Sequence, residues 1–399
     1  MDAVKRGLGI NVLEAARRRT AYALDNFPRV YVSFSGGKDS TVMLHIAATM
    51  ARERKRKIGC LFVDLEGQYK LTIEHIRNML NLYADVLEVY WVALPLNLRN
   101  AVSAYEPQWC CWEHGADWVR QPDPQSITNE SAFPFYHYRM EFEEFVPKFG
   151  EWYGDGKMTA CLVGIRSDES LNRWRTVAAG KKAAFGGRKY TTIIAPNLIN
   201  LYPIYDWKTQ DIWTYHGKTR LPHNPLYDRM WQAGLTIHQM RICQPYGDDQ
   251  RRGLWLFHII EPETWARIVG RVCGANQGAL YVQESGDIIG NGKITKPAGH
   301  TWKSFAMLLI ESMPPATREH YKDKIAVFLK WYADRGYPNG IPDAGPINDR
   351  KRPSWTRVCK ALLRNDYWCK GLSFSQHKSE AYEKYCKLMK RRREQWKII

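Results

Sequence analysis

The 399-residue chain has a mass of 46.4 kDa and sets 58 Lys and Arg against 41 Asp and Glu, a net charge of +17 with a pI near 9.4. Its 45% apolar, 25% charged and 13% aromatic residues exclude whole-chain disorder, and its length suits two or three domains. No apolar run reaches the roughly 18 residues of a membrane span, Met1 to Arg6 suggest no secretory leader, and the surplus of +17 predicts a soluble, cytoplasmic protein with polyanionic partners and no membrane.

In chain order, residues 1–27 read as a helix, with Leu8, Val12, Ala15, Ala16, Tyr22 and Leu24 spaced near 3.6. Arg29 to Phe34 is a strand, and Lys38 to about Arg54 is helical. Ile58 to Val63 forms a second strand ending at Asp64, Leu71 to Tyr83 a helix, and Val86 to Val92 a third strand. This alternation predicts an α/β fold, a doubly wound and mainly parallel sheet with right-handed crossovers. From about 95 to 156 the periodicity is lost among Trp, Pro and Cys, which reads as an irregular insertion over the C-terminal edge of the sheet. Strand character returns at Thr159–Ile165, Thr191–Ala195 and Leu201–Ile204, and a helix starts at Thr209. Beyond 240, helical runs such as Thr301–Ile310 and Arg318–Arg335 dominate, with a Pro/Gly-rich loop at Gly336–Pro353. The expected organisation is a nucleotide-binding domain at 1–240 and a basic, mainly helical domain at 241–399.

The sharpest signal lies at the first strand-to-helix turn, Ser33-Phe34-Ser35-Gly36-Gly37-Lys38-Asp39-Ser40. Two glycines allow a tight turn whose N–H groups face an anion, and the following helix aims its positive end at the same place. Ser35 and Ser40 supply hydroxyls and Lys38 a mobile cation, whereas Asp39 fits a phosphate site only if it holds Mg²⁺ or opposes a cation. The spacing is neither that of a Walker A loop nor that of a dinucleotide fingerprint.

SGGKDS in this position resembles the PP-loop of the adenine-nucleotide α-hydrolase superfamily. That superfamily includes ATP pyrophosphatases, ATP sulfurylase small subunits and phosphoadenosine phosphosulfate (PAPS) reductases. The run Thr41 to Ala47 is similar to the sulfur-nucleotide branch. Three further segments share the resemblance in the same order: Leu61-Phe62-Val63-Asp64, Gly164-Ile165-Arg166-Ser167-Asp168-Glu169-Ser170, and the stretch from Tyr202 to Asp228 containing Leu221-Pro222-His223-Asn224-Pro225-Leu226-Tyr227-Asp228. The usual Thr after Asp64 is replaced by Leu65-Glu66-Gly67. The resemblance implies ATP or PAPS, with Mg²⁺, held by Ser33, Ser35, Gly36, Gly37, Lys38, Asp39, Ser40, Asp64, Gly164, Arg166, Asp168 and Glu169. It implies catalytic roles for Lys38, Asp39 and Arg166, Mg²⁺ ligation by Asp39 and Asp64, and a phosphate or sulfate grip by Arg173, Arg175 and His223.

The C-terminal half departs from true PAPS reductases. Their Glu-Cys-Gly-Leu/Ile-His tail is absent, and the chain ends Glu394-Gln395-Trp396-Lys397-Ile398-Ile399. Arg241 to Gly253, Ile260 to Trp265 and Asn365 to Phe374 instead resemble PAPS-reductase-like proteins with a DUF3440 region, the immunoglobulin-binding regulator A-like group. A reductase reading needs a low-pKa thiol, and Cys243 beside Arg241 is the candidate. Cys110 and Cys111 with His114 place soft ligands together, but adjacent cysteines do not complete a tetrahedral site, so plain thiols outweigh an iron–sulfur cluster. Residues 341–399 hold 15 Lys/Arg against six acids, interleaved with Trp355, Tyr367, Trp368, Phe374, Tyr382, Tyr385 and Trp396. That pattern suits a nucleic-acid or protein partner, or equally a solvated helical face over packed aromatics. Two functions follow as expectations: a PP-loop enzyme of adenylyl-transfer or sulfur-nucleotide type, or a nucleotide-gated regulatory or nucleic-acid-binding protein without turnover.

Overall fold

The computed structural model describes residues 9–103, 105–178, 183–242, 244–247, 253–276, 294–334, 336–346 and 352–372. Two compact units emerge, one from the described residues of Met1–Leu98 and Trp109–Val272, the other from those of Arg99–Gln108 and Cys273–Ile399. Residues 241–272 thus fall within the first unit.

In the first unit, α1 (Val12–Asn26) is capped by Asn11, whose side chain accepts from Glu14 N–H at 2.8 Å. β1 (Arg29–Ser33), α2 (Lys38–Glu53), β2 (Ile58–Val63), α3 (Lys70–Leu82) and β3 (Leu87–Val92) follow as expected to within a few residues. Next come β4 (Leu96–Arg99), β5 (Gln108–Cys111), β6 (Met140–Glu141), α4 (Phe142–Gly154) and β7 (Thr159–Val163). The unit continues with α5 (Leu171–Ala178), β8 (Thr191–Ala195), β9 (Leu198–Leu201), α6 (Thr209–Thr219), α7 (Leu226–Gln232), α8 (Trp255–Ile260) and α9 (Pro262–Arg271). The main sheet has the order β3-β2-β1-β7-β9-β8. Every pairing is parallel except the β8–β9 hairpin at the edge.

Both faces of this sheet are covered, which is why its strands read as continuous apolar runs. Val30 and Val32 join Val42, Leu44 and Ala47 of α2 in the main core. Between them Tyr31 points to the other face and packs edge-on against Phe149 and Tyr153 of α4, with ring centroids 5.5 and 5.4 Å apart. Each such aromatic burial contributes ~1.5–3 kcal/mol.

The insertion is more ordered than its sequence suggests, and this corrects the expected irregular segment. β4, β5 and β6 form a small sheet of order β5-β4-β6, and α4 is a full helix. Phe142, Phe145, Phe149 and Tyr153 recur at helical spacing. Pro147 inside the helix and the crowd of neighbouring aromatics obscure that period. The last sheet strand also lies earlier than expected, at Leu198–Leu201, because the tight β8–β9 turn at Pro196 and Asn197 sets its register.

The second unit is helical, with α10 (Trp302–Glu311), α11 (Pro315–Ala333) and α12 (Trp355–Leu363). Its core joins Phe305, Tyr321, Ile325, Phe328, Trp355 and Val358. Thr301 and Ser304 form a reciprocal cap on α10, while the Asp343 carboxylate accepts from Trp302 and Lys303 N–H at 3.0 and 2.8 Å. Of the two readings of the aromatic residues in this region, Trp355 and Tyr367 follow that of packed aromatics. Trp355 is buried in the core, and Tyr367 stacks on His320 at 3.6 Å beneath the Arg99 guanidinium. Trp368 remains exposed, while Phe374, Tyr382, Tyr385, Trp396 and most of the basic residues lie outside the described residues. No helix among the described residues is long and apolar enough to cross a membrane.

Candidate functional site

The turn from β1 into α2 forms at the C-terminal edge of the parallel sheet, where open α/β folds bind ligands. Gly36 has φ +71°, and a Cβ there would lie 2.9 Å from both Ile76 Cδ1 and Thr72 Cγ2, so the backbone presses against α3 in a conformation only glycine adopts cheaply. Gly37 is the N-cap of α2, with no side chain to satisfy the first amides. Ser40 folds back, its hydroxyl donating to Gly37 C=O at 3.0 Å and meeting the Ser35 hydroxyl, also at 3.0 Å. Ser33 closes β1, in register with Leu61 and Val163.

Lys38 is not the mobile cation its sequence position suggests. Its side chain is only 5% exposed and its Nζ lies 3.0 Å from Asp39 Oδ2. The other carboxylate oxygen of Asp39 takes the Nε–H of Arg166, which projects from the loop after β7. Gly164 makes this meeting feasible, since a Cβ there would fall 2.9 Å from Ser40 N and Ser40 Cα. The outcome is a buried Lys38–Asp39–Arg166 triad joining the first strand-to-helix turn to the end of the neighbouring strand. Burial pushes the Asp39 carboxyl up, but Lys38 and Arg166 outweigh it and hold it below its ordinary value. Burial likewise pulls the Arg166 guanidinium down, while Asp39, Glu169 and Asp168 hold it above its usual value. Arg166 Nη1 is buried without a hydrogen-bond partner. A donor of a buried cation left unpaired beside a helix N-terminus is suited to an anion's oxygen.

Asp168 and Glu169 lie in the same turn, half-buried. Arg173 is exposed on α5 and leans toward Glu169 at 3.9 Å, and Arg175 is half-buried two residues on. His223 is half-buried, its Nε2 3.1 Å from Asp228 Oδ1 and its ring 5.8 Å from Trp213 and 5.6 Å from His216.

Asp64 is fully buried at the end of β2, and its carboxylate is already satisfied. It accepts from Trp91 Nε1 at 2.9 Å, from Glu66 N–H at 3.1 Å and from the Arg120 guanidinium. The expected Mg²⁺ pair therefore does not fit a protein-held ion. Asp39 is shared by two cations, Asp64 is closed by an indole and a guanidinium, and no contact brings the two carboxylates together. Sequence reasoning missed Arg120 and Glu66. Glu66 is fully buried and accepts from Trp112 and Val119 N–H at 2.6 and 3.0 Å and from Arg271 Nε at 3.1 Å, pinning the insertion over β2. Neither residue stands in a local pattern that would announce it.

The sequence did place Asn224 and Tyr227 in a family-like stretch, but without a role. Asn224 is buried and donates to Gly36 C=O at 2.9 Å and to Thr72 Oγ1 at 3.1 Å. The Tyr227 hydroxyl accepts from Lys38 N–H at 2.9 Å.

The cysteine candidates do not converge. Burial pushes the Cys110 thiol up to about 11 and raises that of Cys111 as well. His114 turns outward to Glu130 at 2.7 Å and stacks on Tyr138. Among the described residues no group of three His, Cys, Asp or Glu is placed to hold a metal ion. Cys243 lies outside the described residues.

The phosphoadenosine phosphosulfate reductase domain family matches residues 29–233, more than half of the chain, and the family described as a domain of unknown function, DUF3440, matches 234–341. The Escherichia coli (strain K12) protein described as "Uncharacterized protein YbdN" is 46% identical over 402 residues, spanning 100% of this chain and 99% of its own. Adenosine 5'-phosphosulfate reductase 2 of Bacillus subtilis (strain 168) is 28% identical over 98 residues, 25% of this chain and 36% of its own. The crystal structure of the PAPS reductase of Candida auris in a phosphate complex overlays with a TM-score of 0.32 at 13% identity, over 56% of this chain and 93% of its own.

Proposed function

Because the chain belongs to the phosphoadenosine phosphosulfate reductase domain family, we propose that it is an enzyme that binds ATP at the 35–40 loop and transfers the adenylyl group, releasing pyrophosphate. The observation that carries this reading is the buried Lys38–Asp39–Arg166 triad, with Arg166 Nη1 unpaired, at the N-terminus of α2. Lys38 and Arg166 bring two fixed positive charges to one anion site, and Asp39 aligns them without solvent. An acceptor oxygen attacks the α-phosphorus, the bond to the bridging oxygen breaks, and pyrophosphate leaves carrying the displaced electron pair. The need is charge neutralisation and alignment, which preorganised cations and loop amides supply. Mg²⁺ enters this reading as part of the nucleotide substrate.

Sulfonucleotide reduction, the other reaction class expected from the sequence, needs an attacking thiolate; six of the described thiols do not suit that role, while Cys243 and Cys386 lie outside the described residues. Burial raises Cys60, Cys110, Cys111, Cys161, Cys359 and Cys369, the reverse of what an attacking thiolate needs.

The test is incubation of the pure chain with MgATP, with and without RNA or DNA, following pyrophosphate and orthophosphate separately. Pyrophosphate release lowered ~10²-fold or more by Lys38→Ala and by Arg166→Ala is the expected result. Tight nucleotide binding with no release under any condition would replace this reading with the nucleotide-gated regulator.

A further inference from the structure

The first amides of a helix are the groups an anion binds, and in this structure one of them is already taken. Lys38 N–H, at the first position of α2, donates to the Tyr227 hydroxyl at 2.9 Å. The contact is built rather than incidental. Tyr227 is 2% exposed, its ring lies edge-on to Trp213 at 5.6 Å, and Lys38 Nζ sits 5.5 Å from its centroid. A Cβ on Gly37 would stand 3.5 Å from the same hydroxyl and 3.5 Å from Ser35 Oγ, so the phenol oxygen lies against the loop at the start of α2.

The segment carrying Tyr227 is anchored at a second point. Asn224 donates to Gly36 C=O and Thr72 Oγ1, while its own Oδ1 accepts from Leu226 N–H at 2.9 Å. These two bonds differ in consequence. An anion in the loop makes no claim on Gly36 C=O, so the Asn224 clamp and a bound phosphate coexist. Lys38 N–H has a single hydrogen, which the phenol and a phosphate oxygen cannot both receive in full.

We propose that the Tyr227 hydroxyl is a built-in stand-in for a ligand oxygen at Lys38 N–H, a latch that a nucleotide phosphate must displace while Asn224 holds the segment in place. The proposal rests on the 35–40 loop being the phosphate site. It makes Tyr227 a gating residue, one that sets a threshold for entry and leaves the loop amide satisfied between turnovers.

The test compares the wild-type chain with Tyr227→Phe by calorimetric titration of inorganic pyrophosphate and of MgATP. Removing the competing hydroxyl should tighten binding ~2- to 10-fold, the worth of one exchanged hydrogen bond. Asn224→Ala, which frees the anchor but keeps the phenol, should not tighten it. A second measurement covers misfolding of Tyr227→Phe: with 3-fluorotyrosine at position 227 of the otherwise unaltered chain, its ¹⁹F resonance should shift as pyrophosphate saturates the loop. Wild-type binding with Tyr227→Phe equal or weaker, or with an unmoved resonance, overturns the latch and leaves the nucleotide reading intact. A folded wild type that binds neither ligand overturns both.

Discussion

Asp39 accepts two cations within one buried site, and removing it leaves both uncompensated. Arg166 is 2% exposed and its ion pair is with Asp39, Glu169 and Asp168 acting on it only at longer range, so Asp39→Ala should cost up to ~3–5 kcal/mol in urea unfolding as well as activity. A loss well under 1 kcal/mol would show that solvent reaches the pair. Gly164→Ala tests the close approach directly. Its new Cβ would meet Ser40 backbone at 2.9 Å, and backbone has no rotamer to escape into, so ~1–3 kcal/mol of destabilisation is expected. Among the described cysteines, Cys273 is exposed and should react with iodoacetamide before Cys110, Cys111 and Cys161, which should label only on unfolding, as read by peptide mass spectrometry.

At the scale of elements, α2, α3 and α6 share a row of neutral imidazoles. Burial drives His45 and His216 down to about 4 and His75 to about 3. His45 bonds Tyr83 Oη at 2.8 Å and Pro222 C=O at 2.9 Å, and His75 meets Thr41 Oγ1 at 3.0 Å. Their unfolded forms take up protons near pH 6.5, so between about 6.5 and 4 the unfolded chain binds more protons than the folded one. Stability therefore falls as pH drops through that window, by up to about 1.4 kcal/mol per pH unit for each histidine. Urea midpoints at pH 7 and pH 5 should differ accordingly, and His75→Gln should flatten the slope; equal slopes in both proteins would contradict the assignment. At this scale the sequence was legible for β1 through β3, where alternating strand and helix runs are short and uninterrupted. It was illegible for α4, where Pro147 and aromatics on several sides of the helix blur the period. Burial of Phe145 and Phe149 against the sheet outweighs that local ambiguity.

For the whole molecule, the described part of the basic C-terminal region is built as a helical core. Trp355→Ala should accordingly destabilise the helical unit by ~3–5 kcal/mol, with an earlier thermal transition, rather than selectively weaken a nucleic-acid contact. The sequence by itself determined the α/β class, the tight turn at residues 35–40 and the glycines that shape it. Those features are encoded in a few consecutive residues, through backbone freedom and the period of apolar side chains. Only the tertiary structure decided which charges meet. Asp39 and Arg166 are 127 residues apart in the chain, and Lys38 and Tyr227 are 189 apart. No local pattern specifies such pairs, because sheet order and crossover set them. Lys38, Arg120, Arg166 and Arg271 face the buried carboxylates of Asp39, Asp64 and Glu66, so these cations are largely balanced and add little to the net charge of +17. Their charge organises the first unit from within, which a net figure read from composition cannot reveal.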